Sequence, residues 1–62
     1  MVGAKVRISK KSRYYKEESP VNPRDVEGVV LRVGKATNDL NIDVSWGGGF
    51  ENSYNKEDLV IV

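Results

Sequence analysis

Residues 40–54, with the sequence LNIDVSWGGGFENSY, constrain the fold of this chain more than any other segment. Apolar side chains occupy every second position from Leu40 to Trp46, and polar side chains fill the positions between them. Because successive side chains on a strand point to opposite faces, this alternation predicts a strand with one buried and one exposed face. Gly47–Gly49 then predict a chain reversal, and Phe50 begins a returning strand. A hairpin with one apolar face is not stable alone, so the rest of the chain must cover that face.

The length of 62 residues allows one domain, and the chain contains neither cysteine nor histidine. A chain this short buries only about 60% of its unfolded surface, and here no disulfide or thiolate zinc site can add stability. Stability must therefore come from packing, which commits the regularly spaced apolar residues to the core. The predicted core residues are Val6, Ile8, one of Val29 and Val30, Leu31, Val33, Leu40, Ile42, Val44, Trp46, Leu59 and Ile61.

Similar alternation predicts further strands over residues 4–8, 28–33 and 59–62, with a turn over 34–39. Residues 56–58 predict a 3₁₀ turn, which Asp58 caps unless it pairs with a nearby lysine. Asn52 and Asn55 are interpreted as turn residues. Residues 10–26 contain both prolines and show no sustained period, which predicts a long loop. Together these patterns predict an all-β fold, a small five-stranded barrel.

Three motifs carry a resemblance to a known family. They are G-x-K-V-R-I from Gly3, G-V-V-x-x-V from Gly28, and V-x-W-x-x-G-x-x-x-x-Y-x-x-x-D-L-x-x-V from Val44. This arrangement resembles the Src-homology-3-like (SH3-like) barrels, and most of all the mind-bomb-type and KOW-type repeats and small proteins of tailed bacteriophages. The resemblance implies a single SH3-like barrel over residues 1–62 with a long RT-like loop near the N-terminus. It also implies a phage-encoded protein of the host cytoplasm, and a fold that binds peptides, nucleic acids or methyl-lysine alike.

The long loop holds the densest group of candidate binding residues. Basic residues interleaved with aromatic ones can hold a phosphate backbone while rings stack on bases, and they can equally bind an acidic protein surface. Glu17 and Glu18 follow directly and would repel phosphate, so a protein partner is our first expectation and nucleic acid our second. The alternative is a solvated loop whose tyrosines fold over the end of the barrel. The candidate partner-binding residues are Lys10, Lys11, Arg13, Tyr14, Tyr15, Lys16 and Tyr54.

A second candidate is the group of aromatic residues around the glycine turn. Trp46 continues the buried parity of its strand, which favours a core position, whereas Tyr54 ends its strand and is expected to be exposed. If Tyr14 or Tyr15 lies against Tyr54, an SH3-like peptide groove or an aromatic cage results. The three glycines belong to no phosphate-binding motif and precede no helix, so they are interpreted as a hairpin turn.

Other function classes are disfavoured by composition. Without histidine or cysteine, no side chain titrates near neutral pH, so we expect no enzyme, no cofactor and no metal. No apolar run approaches the length of a membrane span or a signal peptide, which predicts a cytoplasmic protein without a membrane partner. The net charge of +1 divides into +4 over residues 1–32 and −3 over residues 33–62. We expect a monomer, with assembly through an edge strand bearing Val60 and Val62 as a structural alternative.

Overall fold

The computed structural model describes residues 1–34 and 41–62 and shows a mostly β fold. The strands are β1 (Lys5–Ile8), β2 (Gly28–Val33), β3 (Ile42–Gly47), β4 (Phe50–Tyr54) and β5 (Leu59–Ile61). A one-turn helix, α1 (Arg13–Lys16), lies between β1 and β2, and a 3₁₀ turn, η1 (Lys56–Asp58), precedes β5. The predicted strands and the 3₁₀ turn are therefore confirmed within one residue at each described end. Leu40 and residues 35–39 of the predicted turn lie outside the described residues.

The five strands form one antiparallel sheet in the order β4-β3-β2-β1-β5. The pairing register shifts between Val30 and Arg32 in β2 and between Ser45 and Gly47 in β3. Such bulges bend a strand and increase its local twist. The edge strands β4 and β5 are not paired with each other, so the sheet is open. The all-β, five-stranded prediction is confirmed, whereas the closure expected of a barrel is not found in these strand pairings.

The core lies on one face of this sheet. Five predicted core residues are buried there, namely Val6, Ile8, Val30, Ile42 and Val44, and Tyr54 joins them. Val30 thus takes the position that the alternation left open between Val29 and Val30. Trp46, Leu31 and Leu59 are half-buried. Loop tyrosines Tyr14 and Tyr15 pack against this cluster and cover the apolar face of the hairpin.

Two predicted core residues, Val33 and Ile61, are exposed instead, as is Val29, the alternative to Val30, and their places in the sheet explain why. Val29 pairs with Lys5 and Ser45, and its side chain therefore lies on the outer face. Val33 and Ile61 have the inward parity, but Val33 ends β2 and Ile61 lies on an edge strand. Both side chains are exposed there, so the core prediction was wrong at these positions.

The long loop over residues 10–26 is more ordered than its sequence predicts, because it contains α1. Ser12 caps this helix by accepting a hydrogen bond from the Tyr14 amide at 3.1 Å. The Ser12 hydroxyl in turn donates to Asp58 Oδ1 at 2.9 Å, and Asp58 Oδ2 accepts the Asn55 amide at 3.2 Å. The cap that was predicted for Asp58 is confirmed. The same carboxylate also fastens the start of α1 to η1.

The glycine turn between β3 and β4 is confirmed as a hairpin turn. Gly47, Gly48 and Gly49 have φ angles of 86°, 60° and 85°. Residues other than glycine rarely adopt this left-handed region, so the backbone conformation itself favours glycine at these positions. In the described part of the chain, no helix is long and apolar enough to cross a membrane.

Candidate functional site: an aromatic and basic surface around α1

Tyr54 lies at the centre of the site and has an exposed fraction of 0%. Its prediction as an exposed residue at the end of a strand was wrong. In the β3–β4 pairing Tyr54 stands opposite Ile42, a core residue, so both side chains point to the inner face. Tyr54 therefore supports the site from below and offers no surface of its own to a partner.

The Tyr54 hydroxyl fastens the long loop to the sheet. It accepts a hydrogen bond from Trp46 Nε1 at 3.1 Å and lies 2.7 Å from both the Val21 carbonyl oxygen and Asn22 Oδ1. Its single proton is shared between those two acceptors. Asn52 Nδ2 donates to the same two atoms, at 3.2 Å and 2.9 Å respectively. Burial, the largest influence on this hydroxyl, raises the pKa of Tyr54 above its ordinary value.

Tyr14 and Trp46 meet the Tyr54 ring edge-on from two directions. The ring centroids are 5.3 Å apart for Tyr14 and Tyr54, with an interplanar angle of 85°. For Trp46 and Tyr54 the corresponding values are 5.9 Å and 81°. Edge-to-face pairs of this kind stabilise by roughly 0.5–1.5 kcal/mol beyond the area they bury. The condition that a loop tyrosine lies against Tyr54 is therefore met, by Tyr14.

Arg13 covers the half-exposed ring of Tyr14. Its guanidinium carbon lies 5.0 Å from the centroid of the Tyr14 ring, within the range of a cation–π interaction. Arg13 Nη2 also donates a hydrogen bond to the Tyr14 hydroxyl at 3.0 Å. Arg13 and Tyr14 thus form one unit at the surface. This arrangement leaves no empty aromatic cage at Tyr14, because the arginine already occupies the ring face.

Tyr15 belongs to a different contact, which holds the second half of the loop. Its hydroxyl lies 3.2 Å and 3.1 Å from the two carboxylate oxygens of Asp25. The Arg24 guanidinium carbon lies 4.9 Å from the centroid of the Tyr15 ring, and Arg24 Nε donates to the Tyr15 carbonyl oxygen at 3.0 Å. Asp25 has a φ angle of 59°, a conformation that a residue other than glycine adopts only at a cost. We therefore assign Tyr15 to the anchoring of residues 24–25.

The predicted lysines lie at the exposed ends of this loop structure. Lys10 and Lys11 lie in the turn before α1, and Lys16 ends the helix. The structure thus brings Arg13, Tyr14 and the buried Tyr54 into one group. It places Lys10, Lys11 and Lys16 on the exposed chain on either side, and it assigns Tyr15 to a separate contact.

Sequence reasoning missed the polar residues that hold the loop in place, Asn22 and Asn52. The interpretation of Asn52 as a turn residue was wrong, because it lies in the middle of β4. Asn22 is almost fully buried and forms two backbone hydrogen bonds with Ser19 across a tight turn. An Asn-Pro dipeptide such as Asn22-Pro23 is typical of a turn, but nothing in the sequence indicates which residue Asn22 contacts. Asn52 stands opposite Val44, a core residue, and this inward parity in the middle of β4 was the available signal. A polar side chain on a core face requires a buried hydrogen-bond partner.

A second polar group lies on the outer face of the sheet. The Arg32 side chain donates to Asp43 Oδ2 at 2.9 Å and approaches Glu51 Oε1 at 3.7 Å, and the Ser53 hydroxyl donates to Asp43 Oδ1 at 2.6 Å. These residues and Asn52 line a shallow depression of about 250 Å³. The hydrogen bonds from Ser53 and then Arg32 lower the pKa of Asp43. Because its charged groups pair with one another, we assign this group to stability.

Replacing Asp43 with asparagine is expected to lower the free energy of unfolding at about pH 7. We also expect the variant to lose less of its stability than the wild type does when the solution is acidified. A carboxyl group with a lowered folded-state pKa stabilises the fold above its unfolded-state pKa, and this contribution disappears as the pH falls through the folded-state value. Urea unfolding at about pH 7 and below about pH 3 measures both effects. Glu51→Gln is the matched control, since the pair is long and exposed. An equal acid loss in wild type and Asp43→Asn would contradict the assignment.

Within the described residues no group of three or more aspartate, glutamate, histidine or cysteine side chains is arranged to hold a metal ion. Comparison of the chain with protein-family models, with curated proteins and with solved structures gave no match.

Proposed function

We propose that this chain is a non-catalytic binding module that holds a protein partner on the α1 surface. The α1 surface consists of Lys10, Lys11, Arg13, Tyr14 and Lys16. Of the other two candidates from the sequence, Tyr54 supports this surface from below, and Tyr15 anchors residues 24–25. One observation carries the proposal: the Tyr14 ring is held by a perpendicular contact with the buried Tyr54 ring and also lies under the Arg13 guanidinium.

A fixed ring lowers the cost of binding. Ordering a flexible aromatic or basic side chain at an interface costs about 0.5–1.5 kcal/mol, and pre-organised groups avoid part of this cost. Tyr14 is held by its contact with Tyr54. Residues 21–22 of the same loop are held by the hydrogen bonds of the Tyr54 hydroxyl. Tyrosine and arginine are also the residues that most often dominate the energy of protein interfaces. In a free solvated loop, neither the Tyr14 ring nor the backbone around it would be fixed before the partner binds.

The SH3-like barrel remains part of this proposal. Its support is the five-stranded antiparallel sheet, the 3₁₀ turn before the last strand and the long loop that packs over the inner face. The bulges in β2 and β3 supply the local bending that a barrel requires. On such a fold the α1 surface occupies the loop that the resemblance described as RT-like.

The second candidate is nucleic-acid binding by the same basic residues. It is favoured by the four cations of the α1 surface, and it predicts an affinity that falls steeply with salt. It is disfavoured by Arg13, which covers the ring face on which a base would stack. Titration with single- and double-stranded DNA at two salt concentrations tests this candidate. Binding that exceeds the affinity for every protein ligand would replace the first proposal.

The protein-binding proposal is tested by site-specific photo-crosslinking in a cell lysate. A photoreactive amino acid placed at Lys16 is expected to form discrete adducts with protein, because this position lies on the α1 surface. The same amino acid placed at Ser45, whose side chain lies on the outer face of the sheet, is the matched control. Both variants must retain the wild-type circular dichroism spectrum.

Protein adducts that form at Lys16 and not at Ser45 would support the proposal. Adducts of equal yield at both positions, or no protein adduct at Lys16, would contradict it. Adducts of Lys16 with nucleic acid alone would favour the second candidate.

A further inference from the structure

We propose that the segment bound by the α1 surface is acidic, with its carboxylates at Arg13 and the flanking lysines and an apolar side chain against Tyr14. This inference rests on the proposed function and specifies the chemistry of the partner. It distinguishes an acidic peptide from the nucleic acid that the composition of the loop left open.

The ion pairs of the described residues separate the basic side chains into two groups. Lys5 lies 3.9 Å from Glu27, Arg24 lies 3.9 Å from Glu18, and Arg32 pairs with Asp43 and Glu51. None of these paired cations belongs to the α1 surface. Over residues 1–34 and 41–62, no ion pair within 4.0 Å involves the four cations of that surface, which are Lys10, Lys11, Arg13 and Lys16.

The local carboxylates compensate only part of this charge. Glu18 is turned to Arg24, so its charge is already shared with a cation outside the α1 surface. Asp25 accepts the Tyr15 hydroxyl and lies on the part of the loop held by Arg24. Asp58 accepts the neutral Ser12 hydroxyl and keeps its charge, which offsets one positive charge. In addition to the hydrogen bond to the Tyr14 hydroxyl, the charges of Glu17 and Asp58 help to raise the pKa of Arg13. Glu17, at the C-terminal end of α1, is exposed and offsets one of the four positive charges. A ligand that approaches α1 therefore meets an excess of positive charge, which favours an acidic segment.

Arg13 has the hydrogen-bonding capacity that a carboxylate requires. A guanidinium group has five N–H donors in a rigid fork, and among the described residues Arg13 donates a side-chain hydrogen bond to the Tyr14 hydroxyl alone. The remaining donors can bind both oxygens of one carboxylate, the geometry that arginine adopts with such groups. The lysines at either end of the helix add charge with little demand on geometry. This division predicts one well-defined carboxylate position at Arg13 and looser ones around it.

The aromatic part of the surface favours a peptide over a nucleic acid. Base stacking requires an open ring face, whereas the Tyr14 ring is in contact with both the Arg13 guanidinium and the Tyr54 ring. A peptide needs no stacking, since an apolar side chain can pack against the rim formed by Tyr14 and the Arg13 stem. A ligand that combines carboxylates with an apolar residue can contact both the cations of the α1 surface and the Tyr14 ring.

Selection from a display library of random peptides tests this inference with the intact chain. We expect the selected peptides to be rich in aspartate and glutamate with an apolar residue among them. Their affinity for the variant Lys10→Gln/Lys11→Gln/Arg13→Gln/Lys16→Gln is expected to fall roughly tenfold to a hundredfold, since each exposed ion pair is weak and the variant removes four of them together. The matched control, Lys5→Gln/Arg7→Gln/Lys56→Gln, removes cations outside the α1 surface and should bind as wild type does.

The outcomes separate this inference from the proposed function. Selection of neutral or basic peptides that bind wild type but not Tyr14→Leu would overturn the acidic partner and leave the proposed function standing. Selected peptides whose affinity is unchanged in both Tyr14→Leu and the four-glutamine variant would overturn both. A single-stranded oligonucleotide that binds the α1 surface more tightly than the selected acidic peptides would also overturn the inference.

Discussion

Replacing Tyr54 with alanine is expected to leave most of the protein molecules unfolded. Truncation of a large buried aromatic residue typically costs 3–5 kcal/mol, and a domain of this length has a total stability of roughly 3–9 kcal/mol. Tyr54 is fully buried, contacts Tyr14 and Trp46, and holds the loop through Val21 and Asn22. Its loss removes both the packing and the hydrogen bonds. Circular dichroism and urea unfolding at 25 °C measure the result.

Tyr54→Phe isolates the contribution of the hydroxyl group. We expect a loss of about 1–3 kcal/mol, because the change removes the acceptor of the part-buried Trp46 Nε1 and one of the two donors to the Val21 carbonyl and Asn22 Oδ1, which keep Asn52. The matched control is Tyr15→Phe, whose hydroxyl bonds to Asp25 in an exposed position and should matter less. If the two phenylalanine variants lose equal stability, the assignment of Tyr54 as the anchor of the loop is wrong.

Replacing Gly28 with alanine is the second change with a large expected effect. A Cβ atom at this position would lie 2.5 Å from Trp46 Cε3 and 2.7 Å from Val44 Cγ1, closer than real contacts allow. Gly28 is buried inside β2 opposite Val6, so the clash must displace core side chains. Overpacking of this kind typically costs about 1–3 kcal/mol. For a domain of this size we expect the melting temperature to fall by about 4–8 °C for each kcal/mol of stability that is lost.

A double-mutant cycle shows whether the clash with the indole causes this loss. In a Trp46→Leu background, which removes the colliding ring, Gly28→Ala should cost clearly less than in the wild type. Gly3→Ala is the comparison for backbone strain alone, since Gly3 has a φ angle of 85° and no atom within 4 Å of its Cβ position. An unchanged cost of Gly28→Ala in the Trp46→Leu background would contradict the steric explanation.

The sequence predicted the strands well because their patterns are local. Alternation over Ile42, Val44 and Trp46 reports the direction of each side chain, and the hairpin glycines report a backbone conformation that favours glycine. Burial at the ends of strands is not local. Val33 and Ile61 have inward parity and remain exposed, because their burial depends on what lies beside the end of β2 and beyond the edge of β5. The sequence does not carry that information.

The same difference between local and non-local information explains why only part of the site could be predicted. Its basic and aromatic composition could be read from residues 10–16, whereas its support comes from residues far along the chain. Tyr54 is the clearest case, since its burial follows from the register that places it opposite Ile42. That register depends on the bulge at the end of β3, which a pattern of apolar residues does not reveal. A four-residue helix such as α1 is likewise too short to show a period.

The hydrogen bond between Ser12 and Asp58 joins two positions 46 residues apart in the chain. The segment that carries the arginine and tyrosine of the α1 surface is thus held by a residue immediately before the last strand. A synthetic peptide copied from residues 10–16 would lack this restraint and should bind far more weakly than the whole chain. The same bond implies that, during synthesis on the ribosome, α1 gains this restraint only after Asp58 has emerged.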